Sequence, residues 1–119
     1  MTELELSENA KTVLEKRYLQ KDENNKPIET IDEMFWRVAN FIGNNEEEKN
    51  QFHELMTSLR LLPNSPTLMN SGTTLGQLSA CFVLPIEDDM TSIFDAVKNA
   101  ALIHQSGGGS GFSFTNLRP

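Results

Sequence analysis

The sequence is poor in the residues that build disulfides and metal centres: one cysteine and two histidines in 119 residues. A single cysteine excludes an internal disulfide framework. Cys81, His53 and His104 lie too far apart along the chain for any zinc-ligand spacing. No stretch approaches the roughly 18 apolar residues of a membrane-spanning helix, which excludes a helical membrane anchor within this sequence. The opening MTELELSENA is acidic where a secretory leader has an apolar core. Both absences point to the cytoplasm and to no membrane partner. Basic residues are also scarce, with 10 Lys and Arg against 17 Asp and Glu, for a net charge of −7. Phosphate backbones are bound through basic footprints, so nucleic acid is not an expected partner.

The charge that is present is unevenly spread. Residues 1–63 hold 13 acidic and 8 basic side chains, a balance of −5, whereas residues 64–119 hold 4 and 2, a balance of −2. The sparse half is rich in Gly, Ser, Thr and Asn. This contrast divides the chain into a helical N-terminal region, residues 1–62, and a second region, residues 63–119. In the first, apolar spacing predicts helices over 9–20, from Thr30 to Gly43, and over 45–61. Thr30 and Glu33 form a capping-box pair, and Gly43 fits the position that ends a helix. Met34, Phe35, Val38, Phe52, Leu55 and Leu59 are the expected interior. Glu46, Glu47 and Glu48 read as a solvated helix start that suits the helix dipole, and His53 as a boundary residue.

In the second region, residues 63–78 read as a packed loop with two Pro and two Gly. A strand over 78–84 follows, with Cys81 and Val83 on one face and Phe82 and Leu84 on the other. A helix over about 89–105, a glycine turn and the alternating run Phe112-Ser113-Phe114-Thr115 complete a strand–helix–strand unit, which favours parallel pairing. The fold class is therefore α/β.

Three segments could carry chemistry. Ser106-Gly107-Gly108-Gly109-Ser110-Gly111 could bring backbone and its N–H groups close to a ligand, or it could simply cap a helix. It lacks the Gly-Lys-Ser/Thr ending of nucleotide hydrolases, and its glycines close a helix where a dinucleotide fingerprint opens one. The hydroxyl- and amide-rich run from Asn64 to Thr73 could bind phosphate without positive charge, or could supply turns and caps. Cys81 could be a reactive thiol or a small buried apolar residue.

In order, Pro63-Asn64-Ser65-Pro66-Thr67-Leu68-Met69-Asn70-Ser71-Gly72, Leu78-Ser79-Ala80-Cys81-Phe82-Val83-Leu84-Pro85, Ser92-Ile93-Phe94-Asp95 and Ser106-Gly107-Gly108-Gly109-Ser110-Gly111-Phe112 resemble the start of the catalytic barrel of ribonucleotide reductases. The adenosylcobalamin-dependent class II enzymes match best. The resemblance implies the first strand–helix–strand of a ten-stranded α/β barrel, incomplete in this chain. It also implies reduction of ribonucleotides to deoxyribonucleotides for DNA synthesis. In that chemistry a cysteine thiyl radical removes the ribose 3′ hydrogen, and two thiols on the other face reduce the 2′ position and end as a disulfide. Cys81 takes the place of the first of these thiols, which also protonates the departing 2′ hydroxyl. Ser65 and Thr67 would hold the substrate phosphates or sugar, with Gly107, Gly108 and Gly109 close to the nucleotide. Ala80 stands where relatives often have Ser, so a side-chain hydrogen bond is absent there.

Asp88 matches an acidic residue that contacts the allosteric effector, ATP or a deoxynucleoside triphosphate; its alternative role is to cap the next helix. The implied partners are the ribonucleotide substrate, the remaining C-terminal part of the enzyme, a thioredoxin-type reductant and a second copy in a homodimer. Adenosylcobalamin would be bound mainly outside this chain. The radical-bearing cysteine and the second reducing cysteine would lie beyond Pro119, so this chain alone is not expected to be active. The alternatives are the large subunit of a class I reductase and a non-catalytic regulatory or assembly module that retains this segment.

Overall fold

A computed structural model describes residues 4–119. The elements run α1 (Glu8–Arg17), α2 (Ile31–Ile42), α3 (Glu46–Thr57), α4 (Ser65–Asn70), β1 (Cys81–Leu84), α5 (Met90–Gln105) and β2 (Gly109–Phe112). They fall into two compact units, one ending at Leu78 and the other Ser79–Pro119.

In the first unit α2 is the central helix. Its capping box forms as the sequence indicates: the Glu33 backbone N–H donates to Thr30 Oγ1, and the Glu33 side chain accepts from the Thr30 backbone N–H. Met34, Phe35, Val38 and Ala39 are buried, together with Leu19, Met56 and Leu68. Phe52 packs against this cluster and is only partly buried. Leu59 was expected inside and is 57% exposed. The reason is that α3 stops at Thr57, and Leu59 takes a left-handed φ of 58° that turns it off the apolar stripe.

Gly43 does end α2, although not through a left-handed cap: its φ is −76°. Glycine is required there by close approach. A Cβ would lie 2.7 Å from Lys49 Cγ and 2.9 Å from the Lys49 backbone nitrogen, at the start of α3. In that same first turn Glu48 accepts hydrogen bonds from the backbone and side chain of Asn44, which hold its carboxyl below the usual carboxylate range. His53 is a boundary residue, as expected. Its ring stacks on Trp36 with centroids 3.8 Å apart, and its Nε2 lies 2.8 Å from Asp32 Oδ1.

Two expectations about residues 63–78 change. The segment contains a helix, α4. Asn64 caps it by accepting from the Thr67 backbone N–H, and Pro66 sits in its first turn, where a missing N–H costs nothing. Leu68 carries α4 into the core beside α2. That packing is why the first unit extends to Leu78, whereas composition suggested a division after residue 62.

The second unit is a parallel β1–α5–β2 arrangement, as anticipated, with the register Cys81↔Gly109, Phe82↔Ser110, Val83↔Gly111 and Leu84↔Phe112. β1 is shorter than the strand expected over 78–84. The carbonyls of Gln77 and Leu78 accept from Asn70 Nδ2 and Thr67 Oγ1, so side chains of the α4 segment satisfy them in place of a strand ladder. β2 is formed by the glycines themselves and not by the alternating run that follows them. Gly107, with φ 85°, makes the turn after α5, and Gly109 has already joined the sheet.

α5 begins at the N-cap Asp89, whose carboxylate accepts from the Ser92 backbone N–H at 2.8 Å. Ala96 is buried and Ile93, Ala100 and Ile103 are partly buried, whereas Met90, Phe94, Val97 and Ala101 are exposed at helical spacing. No helix among the described residues is long and apolar enough to cross a membrane.

Candidate active site

The thiol of Cys81 is the natural starting point. Strand alternation sends Cys81 and Val83 to one face of the β1–β2 pair, and both are exposed; Phe82 and Leu84 face the other way and are partly buried. On β2 the partners of Cys81 and Val83 are Gly109 and Gly111, which present no side chain. A methyl group at Gly109 would lie 3.9 Å from Cys81 Sγ and 3.8 Å from the Ala80 carbonyl oxygen. The face beside the thiol is therefore bare backbone, open to a flat ligand or to a second sulfur. Among the described residues Cys81 is exposed and unbridged.

The glycine run does not offer a nest of N–H donors. The Gly107 and Gly108 N–H groups donate to the His104 and Ile103 carbonyls, both at 3.0 Å, and the Gly109 N–H donates to the Ala80 carbonyl at 2.7 Å. Ser110, between two glycines, meets His104 Nε2 at 2.8 Å, tying the end of α5 to β2.

Ser65 and Thr67 both lie on α4, in the first unit. Thr67 Oγ1 donates to the Leu78 carbonyl at 3.1 Å. Ser65 Oγ lies 2.8 Å from the hydroxyl of Tyr18. Asp88 is not the cap of α5, since Asp89 has that role. Instead its carboxylate accepts from Arg118, Nε to Oδ2 at 2.7 Å. Sequence reasoning missed Tyr18 and Arg118, whose partners lie 47 and 30 residues away, beyond the reach of any local spacing. It also missed Arg37, which bridges α2, Glu29 and the end of α4; a lone arginine in an apolar helix was the available signal.

A helical unit followed by a parallel strand–helix–strand unit agrees with comparison to known proteins. The ribonucleotide reductase all-alpha domain matches residues 4–76, and the ribonucleotide reductase barrel domain matches residues 79–119. The chain belongs to the ribonucleotide reductase family. A vitamin B12-dependent ribonucleoside-diphosphate reductase of Thermoplasma acidophilum is 40% identical across 98% of the chain. The enzyme of that name from Mycobacterium tuberculosis is 46% identical over the same share. The alpha subunit of a Helicobacter pylori ribonucleoside-diphosphate reductase is 41% identical over 86% of the chain. The chain spans 24%, 18% and 14% of the lengths of these three relatives. The family's two matched domains meet where the two compact units meet.

The described residues do not fit adenosylcobalamin by themselves. Four clefts among the described residues measure about 320–460 Å³ and lie open on the surface, the lower end of the range for drug-sized ligands. A corrinoid with its nucleotide tail is far larger.

Proposed function

We propose that this chain forms the N-terminal part of a ribonucleotide reductase catalytic subunit, with Cys81 as one of two thiols that reduce the ribose 2′ position. The observation that carries this reading is the exposed Cys81 thiol on a strand face kept bare by Gly109 and Gly111. A thiol suits the task because it is a weak acid and, with a partner thiol, a two-electron donor. Cys81 gives its proton to the 2′ hydroxyl, which leaves as water. The two electrons come from Cys81 and a second cysteine supplied by the rest of the enzyme, and the pair ends as a disulfide that a thioredoxin-type reductant reopens. The names of the relatives favour ribonucleoside diphosphates as substrate and dependence on vitamin B12; the proposed form is adenosylcobalamin as radical source, held by residues outside this segment.

Ser65 and Thr67 are proposed to face the substrate phosphates or sugar, with the Ala80 backbone and Gly107–Gly109 lining the nucleotide's path. The test is quantitative mass spectrometry of this segment joined to the remaining part of a B12-dependent relative. After one addition of substrate without external reductant, Cys81 should be recovered in a disulfide in proportion to product. Cys81 remaining reduced while product accumulates would sink the reading.

Asp88 is proposed to contact the effector nucleotide. Its freedom from capping α5 supports this, as does its exposed pairing with Arg118 at the chain's surface. Asp88→Ala is expected to weaken effector-dependent substrate choice by about 5- to 150-fold, the usual span of allosteric coupling, with basal turnover little changed. Turnover assays of each substrate with and without each effector decide it. Equal loss for every combination would make Asp88 a structural partner of Arg118 only.

A further inference from the structure

We infer that Tyr18 is a positioning residue for substrate binding, acting through the hydroxyl of Ser65; this rests on the proposed role of Ser65. Tyr18 ends α1, and its ring packs half-buried against the core of the first unit. Its hydroxyl reaches Ser65 Oγ, 47 residues along the chain, at 2.8 Å. The two residues line a groove of about 440 Å³ whose other lining side chains, Leu14, Phe35, Leu62 and Leu68 among them, are all apolar. Among the described residues lining the groove, each hydroxyl is the other's only polar side-chain neighbour.

The consequence follows from proton counting. A serine hydroxyl carries one hydrogen and can accept as well as donate. A phosphate oxygen only accepts, so a Ser65 that binds it must send its single hydrogen outward. The Tyr18–Ser65 bond then has one possible direction, with the phenol donating to Ser65 Oγ. The result is a relay from Tyr18 O–H to Ser65 O–H to phosphate oxygen. Each bond polarises the next. Before substrate arrives either hydroxyl can donate in this pair, and the packed ring of Tyr18 holds its oxygen within reach of Ser65 Oγ. Holding the phenol oxygen in place in advance lowers the cost of binding without touching the chemical step.

Tyr18→Phe removes one oxygen and keeps the packed ring. In the joined reductase, KM for the ribonucleoside diphosphate is expected to rise about two- to tenfold, the span for one neutral hydrogen bond. kcat should stay unchanged, and the thermal unfolding midpoint should fall by no more than the few degrees that one neutral hydrogen bond is worth. Ser65→Ala should raise KM at least as much, and adding Tyr18→Phe to Ser65→Ala should cause no further rise. A normal KM in Ser65→Ala overturns the role of Ser65 and the inference with it. A raised KM in Ser65→Ala beside a normal KM in Tyr18→Phe overturns the inference alone. So does a Tyr18→Phe effect that persists in the Ser65→Ala background, or one confined to the melting midpoint.

Discussion

Cys81→Ser is expected to stop multiple-turnover deoxynucleotide formation while leaving the fold intact. The substitution exchanges sulfur for oxygen on an exposed strand position, so little packing is lost. The strand pairing runs through backbone groups of Cys81 and Gly109, which the change does not touch. What disappears is chemistry. A serine hydroxyl is a far weaker acid than a thiol at neutral pH, and it cannot end as half of a disulfide. Loss of the proton donor alone carries a penalty on the order of 10²–10⁴-fold, and loss of the electron pair leaves no route to a second turnover. The assay is deoxynucleotide formation by the joined reductase under multiple turnover, beside circular dichroism of the variant. A Ser variant that turns over normally returns Cys81 to the status of a surface residue on a strand end. Gly109→Ala is an informative companion, because its methyl would stand in ordinary contact distance of the sulfur, at 3.9 Å, and would fill the open face without straining the backbone.

The parts of this chain that were legible in sequence are those governed by local rules. The capping box of α2 was legible because the side chains of Thr30 and Glu33, three residues apart, accept from each other's backbone N–H. The face carrying Cys81 was legible because strand alternation has a period of two. The helix α4 was hidden by its own composition. Prolines and glycines signalled a loop, although Asn64 followed by Pro66 is also a helix start. The start of β2 was hidden because glycine has poor strand propensity, and here the parallel partner decides the strand. Gly109 and Gly111 pair with Cys81 and Val83 despite that preference. The proposed site was legible only in outline. Ser65, Thr67, Cys81 and Gly109 could be named from motifs, but the partners that hold them were out of reach. Tyr18 on Ser65 and Arg118 on Asp88 are long-range contacts that no periodicity encodes.

Arg37 is the most consequential of the contacts that sequence did not disclose, and Arg37→Met is expected to destabilise the first unit by about 3–5 kcal/mol, as breaking one partner of a buried ion pair does. Arg37 Nε and Nη2 donate to the two carboxylate oxygens of Glu29 at 2.9 and 2.7 Å. Nη1 donates to the Ser71 carbonyl at 2.8 Å, and Nη2 also to the Leu68 carbonyl at 3.0 Å. The side chains of Arg37 and Glu29 are only 14% and 11% exposed, so solvent screens the pair little. Glu29 Oε1 accepts from the Gln20 backbone N–H as well, which ties the end of the α1 segment into the same knot. Removing the guanidinium strands a carboxylate and two helix-end carbonyls at once. Methionine keeps most of the apolar stem that packs against Gly72, whose Cβ position lies 3.3 Å from Arg37 Cγ, so the measured loss reports the charge and hydrogen bonds more than a cavity. Urea unfolding of the 119-residue chain, followed by fluorescence of its single tryptophan, Trp36 on α2, reads the effect. Pairing Arg37→Met with Glu29→Gln should recover part of the loss, because the neutral amide no longer leaves a charge buried alone. If Arg37→Met matches the unsubstituted chain within about 0.5 kcal/mol, the scale of an ordinary surface change, the pair is worth no more than an exposed ion pair. The end of α4 must then be held by the burial of Leu68 and the fully enclosed Ser71 instead.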